Sequence, residues 1–295
     1  GDKIKYNACN YDKNDALLLA VTNGYIDCIA VLLNIYGDKI MYNATTCLKI
    51  LFLAATNGHS DCITTLYNIY GDEIDYNAIN DKKRNALMIA ATNGHSDCIT
   101  ALYNIYGDKI NYNAIDYYNN NALMLAVKSN NVDCITALYN SYGDNIDCNA
   151  IHMYQKRNAL MLAVRYNHPD CITALYNTYC DKIDCNAIDD KDKTALELAI
   201  INEHYVCAEK LCELFGNKIH TNINNILVDA VSNYFDYGHN ILLLLYKSCN
   251  DTIDWSSLLF IAARYQSYKL IATLHKYWSD KLDINARNCH GDTIL

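Results

Sequence analysis

The chain has 295 residues, of which 52% are hydrophobic, and its formal net charge at pH 7 is −9. It therefore lacks the basic surface that nucleic-acid binding requires, and no nucleic-acid partner is expected. No uninterrupted apolar stretch approaches the roughly 20 residues that a membrane-spanning helix needs, so no membrane span is expected either.

Along the chain, leucine and alanine return at fixed positions in eight successive units. Each unit has a leucine three residues before an alanine, and a second leucine twelve residues after that alanine. The leading leucines are Leu17, Leu51, Leu87, Leu123, Leu160, Leu196, Leu227 and Leu259, the alanines are Ala20, Ala54, Ala90, Ala126, Ala163, Ala199, Ala230 and Ala262, and the trailing leucines are Leu32, Leu66, Leu102, Leu138, Leu175, Leu211, Leu242 and Leu274. A fixed apolar pattern with connectors of variable length is typical of a stacked solenoid.

The third unit shows how each repeat is predicted to fold. Its leucine and alanine share one face of a short first helix over 86–92. Gly94 ends that helix, because glycine tolerates the left-handed conformation of a helix C-cap, and asparagine replaces it in some units. A second helix is expected from about Ser96 through Tyr106, followed by an extended connector that includes 111–114.

Fourteen cysteines are present, and six of them occupy one position, eight residues after the alanine. These six are Cys28, Cys62, Cys98, Cys134, Cys171 and Cys207. Packed helices lie about 8–10 Å apart, whereas the Cα atoms of a disulfide lie within about 7 Å, so equivalent cysteines of neighbouring units are too far apart to bond. We expect them to be small buried hydrophobic side chains in a reducing, intracellular compartment.

At several positions the sequence resembles the ankyrin repeat. Thr194-Ala195-Leu196-Glu197-Leu198-Ala199 is close to the family's T-P-L-H-x-A, Asn93-Gly94-His95 matches its N-G-H turn, and Gly291-Asp292-Thr293-Ile294-Leu295 matches its G-x-T-x-L opening. The usual threonine-proline pair is mostly Asn-Ala here, and the period exceeds the family's roughly 33 residues by about three. The extra residues fall between Leu102 and Asn113, which predicts a second helix about one turn longer than usual.

The resemblance implies an all-α solenoid of helix-turn-helix units, with about eight repeats plus partial units at both ends. The connectors between repeats, which we call fingers, are expected to be hairpins or extended segments. Within 1–295 we expect the tail of a preceding repeat at 1–12, six regular repeats over 13–226, two degenerate repeats with short fingers over 227–286, and the start of a ninth at 287–295. Shorter connectors around the degenerate repeats predict a change in curvature. Because partial units are expected at both ends, the chain is expected to be a piece of a longer array.

A catalytic alternative rests on a histidine three residues before a cysteine. The pairs are His59/Cys62, His95/Cys98, His168/Cys171 and His204/Cys207. An imidazole at this spacing could activate a thiol, as in a Cys-His hydrolase or transferase. An enzyme needs one such pair, whereas these recur, and the resemblance gives the histidine a structural role in bonding the connecting backbone. The structural interpretation is favoured, so neither enzyme activity nor a cofactor is expected.

Two further groups of residues, cysteines and tyrosines, could bind ligands, but packing within the fold is the favoured explanation for both. Close cysteines occur at 180 and 185, at 207 and 212, and beside a histidine at 289–290, yet none forms the two close pairs of a zinc site, so no metal is expected. Tyrosines also form columns on the second helix. They are Tyr67, Tyr103, Tyr139 and Tyr176, and Tyr36, Tyr70, Tyr106, Tyr142 and Tyr179. Packing along the seam between helices is favoured over ligand binding.

Positions that differ between units are free for recognition, and in ankyrin-like proteins they line a concave surface of fingers and first helices. Basic and aromatic residues gather at these positions. The candidate partner-binding residues are Lys82, Lys83, Arg84, Tyr117, Tyr118, Lys128, Met153, Tyr154, Gln155, Arg165, Tyr166, Arg264 and Tyr265. Because tyrosine, arginine and methionine are enriched in interface cores, this strip suits an acidic or phosphorylated segment of a partner protein. A solvated face without a ligand is the alternative.

The sequence therefore predicts a non-catalytic, monomeric scaffold that binds another protein on its fingers and first helices. We expect it to belong to a larger intracellular protein in the cytoplasm, or to an effector delivered into a host cytoplasm. A Cys-His enzyme and a purely structural spacer remain the alternatives.

Overall fold

The computed structural model describes residues 16–40, 44–219 and 255–285, except 265, 267, 280, 281 and 284. Among these residues the regular structure is entirely helical, as the sequence predicts. The helices, numbered in chain order, are α1 (Ala16–Thr22), α2 (Ile26–Ile40), α3 (Ala44–Asn57), α4 (Ser60–Tyr70), α5 (Ala86–Asn93), α6 (Ser96–Tyr106), α7 (Ala122–Lys128), α8 (Val132–Tyr142), α9 (Ala159–Arg165), α10 (Pro169–Tyr179), α11 (Ala195–Ile201), α12 (Tyr205–Phe215), α13 (Trp255–Arg264) and α14 (Tyr268–Trp278).

The first of two compact units, unit 1, comprises residues 1–162 and 177–183. Its helices pair as α1 with α2, α3 with α4, α5 with α6, and α7 with α8. Each first helix packs against the first helix of the next pair, and each second helix packs against the next second helix. The pairs therefore stack side by side, so that one repeat covers the apolar face of its neighbour, as in repeat proteins generally.

The second unit, unit 2, comprises residues 163–176 and 184–295. In it α11 packs against α12, and α13 packs against α14. Helix α11 begins with a capping box: the Thr194 hydroxyl accepts a hydrogen bond from the backbone N–H of Glu197, whose carboxylate accepts one from the backbone N–H of Thr194. Helices α9 and α10 contribute residues to both units.

The leucine and alanine columns form the core, as the sequence predicts. Of the column residues that the structure describes, Leu32 alone is half-buried, and its neighbour Leu33 takes the buried position in α2. Each buried leucine contributes about 1.5–3 kcal/mol relative to an exposed one, so the columns are a major source of stability. Leu227, Ala230 and Leu242 lie outside the described residues, as do the expected partial units at 1–12 and 287–295.

Buried asparagines precede the first helices α5, α7 and α9. Asn121 is 1% exposed, and its side-chain oxygen accepts a hydrogen bond from the backbone N–H of Met124, which makes it the N-cap of α7. Its Nδ2 donates to the backbone oxygen of Asp147 in the following finger. Asn85 makes the equivalent pair of bonds. The Asn-Ala departure from the family pattern therefore combines a helix cap with a bond between repeats.

One or two residues after the first helix of a repeat, the backbone adopts a left-handed conformation. Gly94 has a φ of +84°, and its backbone N–H donates to Ala90, which confirms the predicted C-cap. Asn130, Asn167 and Glu203 occupy the same position with φ between +57° and +59°. Glu203 departs from the glycine-or-asparagine pattern, yet it takes the same backbone conformation.

The longer period is accommodated differently from the sequence prediction. Helix α6 ends at Tyr106, and a separate turn of 3-10 helix follows over Gly107–Lys109. Between the two, Gly107 has a φ of +49° and a ψ of −132°, a conformation open to glycine and strained for other residues. The segment after Leu102 therefore holds the last turn of an α-helix and a 3-10 turn rather than one continuous helix.

A second set of asparagines ties neighbouring fingers together near their base. Asn77 Nδ2 donates to the backbone oxygen of Lys109, and Asn77 Oδ1 accepts from the backbone N–H of Asn111. Asn113 makes the same two bonds one repeat later, to Asn145 and Asp147. These side chains replace the backbone ladder that would join strands of a sheet.

Five of the six aligned cysteines are buried, as predicted, but the prediction is wrong for Cys28, which is exposed. The buried ones lie against the preceding repeat: Cys98 Sγ is 3.9 Å from the backbone oxygen of Ala54. Cys28 belongs to the first repeat that the structure describes, so no described helix pair precedes it. The cysteine position is therefore covered by the neighbouring repeat rather than by its own helices.

The tyrosine columns pack along the seam between second helices, as predicted. Tyr106 and Tyr142 are buried, and Tyr103 of one repeat meets Tyr142 of the next edge-on with ring centroids 5.2 Å apart. Tyr67 and Tyr106 form the same contact at 5.4 Å. Such edge-to-face pairs are each worth about 0.5–1.5 kcal/mol beyond their area. The column therefore stabilises the stack of unit 1.

We expect Tyr142→Phe to stabilise the protein by about 1 kcal/mol, since a buried polar group that lacks a partner carries an uncompensated desolvation cost. Within the described part of the chain, the Tyr142 hydroxyl is buried without a hydrogen-bond partner, and a phenylalanine, Phe215, fills the equivalent position at the end of α12. Urea unfolding would measure the change. The control is Tyr103→Phe, whose half-buried ring should show little effect. A lower midpoint for Tyr142→Phe would contradict the prediction.

The short fingers and the change of curvature predicted around the degenerate repeats fall largely on residues 220–254. These residues lie outside the described ranges, so both expectations stay predictions.

Candidate protein-interaction surface

The fingers before α5, α7 and α11 end in tight turns that share one construction. In the finger before α7, Asp116 Oδ1 accepts hydrogen bonds from the backbone N–H groups of Tyr118 and Asn120, two and four residues later. The backbone N–H of Asp116 donates to the backbone oxygen of Asn120. Asn80 and Asp189 hold the fingers before α5 and α11 in the same way. The finger tips are therefore held in defined turns by their own side chains.

An ion pair joins two of these fingers. Arg84 Nη2 lies 2.9 Å from Asp116 Oδ2, and Nε lies 3.3 Å from the same oxygen. The Asp116 side chain is 1% exposed and that of Arg84 is 18% exposed. Burial raises the pKa of Asp116, but hydrogen bonds from the backbone of Asn120, from Arg84 and from the backbone of Tyr118 outweigh it, so the pKa is lowered. Arg84, a candidate binding residue, therefore serves the fold.

Four neighbouring side chains from two adjacent fingers form the surface that we call the fingertip cluster: Tyr118, His152, Met153 and Tyr154. The Tyr118 and His152 rings are parallel with centroids 6.1 Å apart, and Tyr154 lies 6.2 Å from Tyr118 and 6.1 Å from His152. The backbone N–H of Met153 donates to the backbone oxygen of Tyr118 at 2.9 Å, which ties the two fingers together. Tyr118, Met153 and Tyr154 are each at least half exposed.

Beside the fingertip cluster, Tyr117 is exposed and carries a cation on its ring. Lys83 Nζ, from the preceding finger, lies 4.9 Å from the centre of that ring, which is within cation–π range. Lys83 itself has a φ of +58° at the tip of its turn. The tips of three successive fingers thus contribute to one aromatic and basic area.

His152 sits at the centre of this area and is half-buried. Its pKa is lowered, chiefly by burial and then by the positive charge of Lys128, while Asp116 acts in the opposite direction and Arg157 in the same direction. The ring is therefore neutral at physiological pH. This neutral ring lies parallel to the ring of Tyr118 and at 56° to the ring of Tyr154.

The remaining candidates are distributed as follows. Lys82 and Gln155 are exposed at finger tips of unit 1, and Lys128 is half-buried at the end of α7. In unit 2, Arg165 and Tyr166 are exposed, with Arg165 Nη1 3.2 Å from Asn202 Oδ1 and Tyr166 stacked on His168, and Arg264 is exposed at the end of α13. Tyr265 lies outside the described residues.

Sequence reasoning missed His152 and the role of Asp116. Both stand at the first position of a finger turn, which Asn80 and Asp189 fill elsewhere. The sequence does carry a sign that His152 is a candidate binding residue, because a histidine stands there in place of the Asn or Asp that opens the other turns. A departure from a repeated structural residue at the edge of a variable segment marks a candidate binding residue.

The histidines that precede the cysteines bond to the backbone of the preceding repeat. His95 Nε2 lies 2.8 Å from the backbone oxygen of Thr56, and His59 Nε2 lies 3.1 Å from that of Thr22. In unit 2, His204 Nδ1 lies 2.7 Å from the backbone oxygen of Val164. Where His95 would recur, Asn131 donates from Nδ2 to the backbone of α5 instead. The structural role implied by the resemblance is therefore observed for these residues.

The buried cysteines are protonated at neutral pH. Burial raises the pKa of Cys62 and Cys207 to about 11 and that of Cys98, Cys134 and Cys171 to about 12. Since the thiolate is the nucleophile, these thiols are poorly suited to attack a substrate. In three of the four Cys-His pairs the thiol is protonated and an imidazole nitrogen lies against a backbone oxygen, which favours the structural interpretation over catalysis.

Limiting iodoacetamide at pH 8 is expected to modify Cys28 well before the five buried cysteines of the same column. Cys28 is exposed, whereas the others are inaccessible and protonated. Peptide mass spectrometry at successive times would give each rate. Addition of urea is the control, because it should bring the rates together. Rapid labelling of one buried cysteine in the folded protein would contradict the prediction and revive the catalytic alternative.

Two further observations concern the described residues only. No three histidine, cysteine or acidic side chains in this part of the chain come together as a metal site would require. None of the described helices is both long enough and apolar enough to cross a lipid bilayer.

Stacked helix pairs with structured fingers between them define a class of helical repeat proteins. A family model described as ankyrin repeats, in three copies, matches residues 51–152 and again residues 144–225. The matched residues make up more than half of the chain. The chain therefore belongs to the ankyrin-repeat family, which confirms the resemblance found in the sequence. No curated protein was found to match the sequence.

Proposed function

We propose that the chain is a non-catalytic region that binds a partner protein through the fingertip cluster of unit 1 and the adjoining Tyr117. Ankyrin repeats are generally protein–protein interaction modules. The observation that carries the proposal is the contact among Tyr118, His152 and Tyr154, which gathers aromatic surface from two fingers while leaving both tyrosines exposed. Exposed aromatic side chains of this kind dominate binding energy at protein interfaces.

The rigidity of the fingertip cluster supports this proposal. The backbone bond between Met153 and Tyr118 and the Arg84–Asp116 ion pair hold successive fingers in register before any partner arrives. Binding to a surface that is already ordered loses less conformational entropy than binding to mobile loops. The cluster can therefore contribute most of its contact energy to affinity.

The partner segment is proposed to be acidic or phosphorylated. Lys82, Lys83 and Lys156 are exposed at the finger tips around the cluster. The nearby carboxylate of Asp116 is buried and neutralised by Arg84, so it does not offset these cations at the surface. Local charge is then positive on a chain whose net charge is −9, which would steer an anionic segment to this area.

The proposal extends to the cellular compartment and the oligomeric state of the protein. A chain whose aligned cysteines are unpaired is suited to a reducing compartment, so we propose an intracellular protein, either resident or delivered into a host cell as an effector. We also propose that it is a monomer that binds its partner as one part of a larger protein.

Site-specific cross-linking tests the proposal directly. A photoreactive phenylalanine analogue at 118 or 154 should cross-link a partner in intact cells, whereas the same analogue at the exposed Tyr25 of unit 1 should not. The variant Tyr117→Ala/Tyr118→Ala/Tyr154→Ala should lose capture of the identified partner with an unchanged melting temperature, because these side chains are exposed. Equal capture by this variant would refute the binding surface, and the absence of any cross-link would favour a spacer.

A further inference from the structure

The finger between α8 and α9 lacks a side-chain oxygen that three other fingers use to hold their turns. In those three, Asn80, Asp116 and Asp189 each accept a hydrogen bond of 2.9 Å from the backbone N–H two residues later. His152 occupies the same position and opens a turn over 152–157, which its backbone N–H closes by donating to the last residue. This turn is also one residue longer than the others.

The backbone donor that such an oxygen would satisfy is left without an acceptor. Within the described part of the chain, the backbone N–H of Tyr154, two residues after His152, makes no hydrogen bond. Nδ1 of His152 is buried and has no partner among these residues either, so the imidazole does not replace the missing oxygen. Backbone N–H groups of turns that lack an internal acceptor are common binding sites for anions.

The surroundings of this turn are positively charged. The segment 152–157 contains Lys156 and Arg157 and no acidic residue, and Lys156 is exposed. Burial lowers the pKa of His152, and the positive charges of Lys128 and Arg157 lower it further, so both charges act at the imidazole. An anion that approaches the turn is therefore attracted by several cations.

The acidic group that acts on the same imidazole is already neutralised. Asp116 raises the pKa of His152, but Arg84 Nη2 lies 2.9 Å from Asp116 Oδ2. An anion bound beside the imidazole would favour its charged form and raise its pKa, and in that form both ring nitrogens are donors. The histidine can therefore add a positive charge to the turn when an anion is bound.

We infer that the turn over 152–157 binds one anionic group of the partner segment, a carboxylate or a phosphate, in the role that the Asp116 carboxylate has in the preceding finger. The anion accepts the backbone N–H of Tyr154 and lies beside the imidazole of His152. That the anion belongs to a partner protein rests on the proposed function, and the inference names the place where its acidic or phosphorylated residue is held.

A titration with sulfate, whose charge does not change near neutral pH, tests the site without a partner. In protein labelled with 15N-tyrosine, the amide resonance of Tyr154, identified by its loss in Tyr154→Phe, should shift and reach half-saturation at about 1–10 mM sulfate. The amide of Tyr118, which already donates to Asp116, should not follow it. The pKa of His152, read from its ring protons, should rise. A Tyr154 shift that does not saturate, or that sodium chloride reproduces at equal ionic strength, would overturn the inference.

Matched variants test whether the missing acceptor creates the site. His152→Asp and His152→Asn supply an oxygen, as Asp116 and Asn80 do in their own fingers, so both should abolish the sulfate response with an unchanged melting temperature. Asn104→Asp adds the same negative charge at an exposed position of α6 and should bind sulfate as the wild type does. Sulfate binding by His152→Asn with wild-type affinity would show that the inference is wrong.

Phosphate and acetate, titrated in the same way, distinguish the two candidate groups. Saturation by either supports the inference and identifies the group, whereas saturation by neither contradicts it. Partner capture then separates this site from the proposed function. If anions bind here and no partner cross-links at 118 or 154, the proposed function fails and the anion site stands. If a partner does cross-link, His152→Asp should weaken its capture about tenfold, and unchanged capture would refute the inference while the proposed surface stands.

Discussion

Asn121→Ala is expected to lower the free energy of unfolding by about 1.5–2.5 kcal/mol. The substitution removes the N-cap of α7, worth about 1 kcal/mol, and the 2.8 Å hydrogen bond to the backbone oxygen of Asp147, worth about a further 0.5–1.5 kcal/mol. Asn121 is 1% exposed, so water has little access to the freed N–H of Met124, whereas Asp147 is exposed and its oxygen can be hydrated in the variant. Urea unfolding followed by circular dichroism would measure the loss.

A threonine at the same position separates the two contributions. Asn121→Thr should keep the helix cap, as Thr194 does at the equivalent position, and lose the bond to Asp147, so it should recover part of the stability lost in the alanine variant. The control is Asn104→Ala, at an exposed position of α6, which is expected to change stability by less than about 0.5 kcal/mol. Equal stability of the alanine variant and the wild type would rule out this role for Asn121.

Arg84→Met is expected to destabilise the protein by about 2–4 kcal/mol at neutral pH, because it leaves the buried carboxylate of Asp116 without its opposite charge. The backbone hydrogen bonds to Asp116 remain, which keeps the effect below that of a wholly unpaired ion. Differential scanning calorimetry would show a lower melting temperature. Lys82→Met, which removes an exposed cation from the same finger, should have little effect and serves as the control.

The effect of Arg84→Met should depend on pH in a defined direction. Asp116 has a lowered pKa in the folded protein, so its ion pair stabilises the fold above the unfolded value of about 3.9 and loses this effect as the pH falls through the folded pKa. The difference between wild type and Arg84→Met should therefore be largest at pH 6–7 and shrink below about pH 4. A difference that stays constant down to pH 2 would show that charge on Asp116 is not involved.

The repeat pattern was sufficient to predict most of the scaffold. Leu87 and Ala90 lie in the core, Gly94 ends α5, and α10 begins at Pro169, because burial, left-handed backbone and the missing proline N–H each limit the residues that a position accepts. Such constraints act within one repeat and recur in every repeat. They can therefore be recognised by comparing units of a single sequence.

Contacts between repeats were less accessible to sequence reasoning. Arg84 was chosen as a candidate binding residue because it is basic at a variable position, and its ion pair with Asp116 of the next finger was not predicted. Cys28 is exposed although it occupies the same sequence position as five buried cysteines. His152 joins the fingertip cluster through the approach of two fingers, which spacing along the chain does not specify. These properties depend on how neighbouring repeats stack, so they can be recognised only in the three-dimensional structure.

The asparagine links at the finger bases have a consequence for how this protein can change over time. Asn77 and Asn113 hold neighbouring fingers together through hydrogen bonds of their side-chain amides, which need no particular side chain at the tips. Mutations at the exposed tyrosines can then accumulate without loosening the scaffold. A repeat that is duplicated, deleted or exchanged can still pack against its neighbours. The binding preference of the protein can therefore change during evolution while the fold is kept.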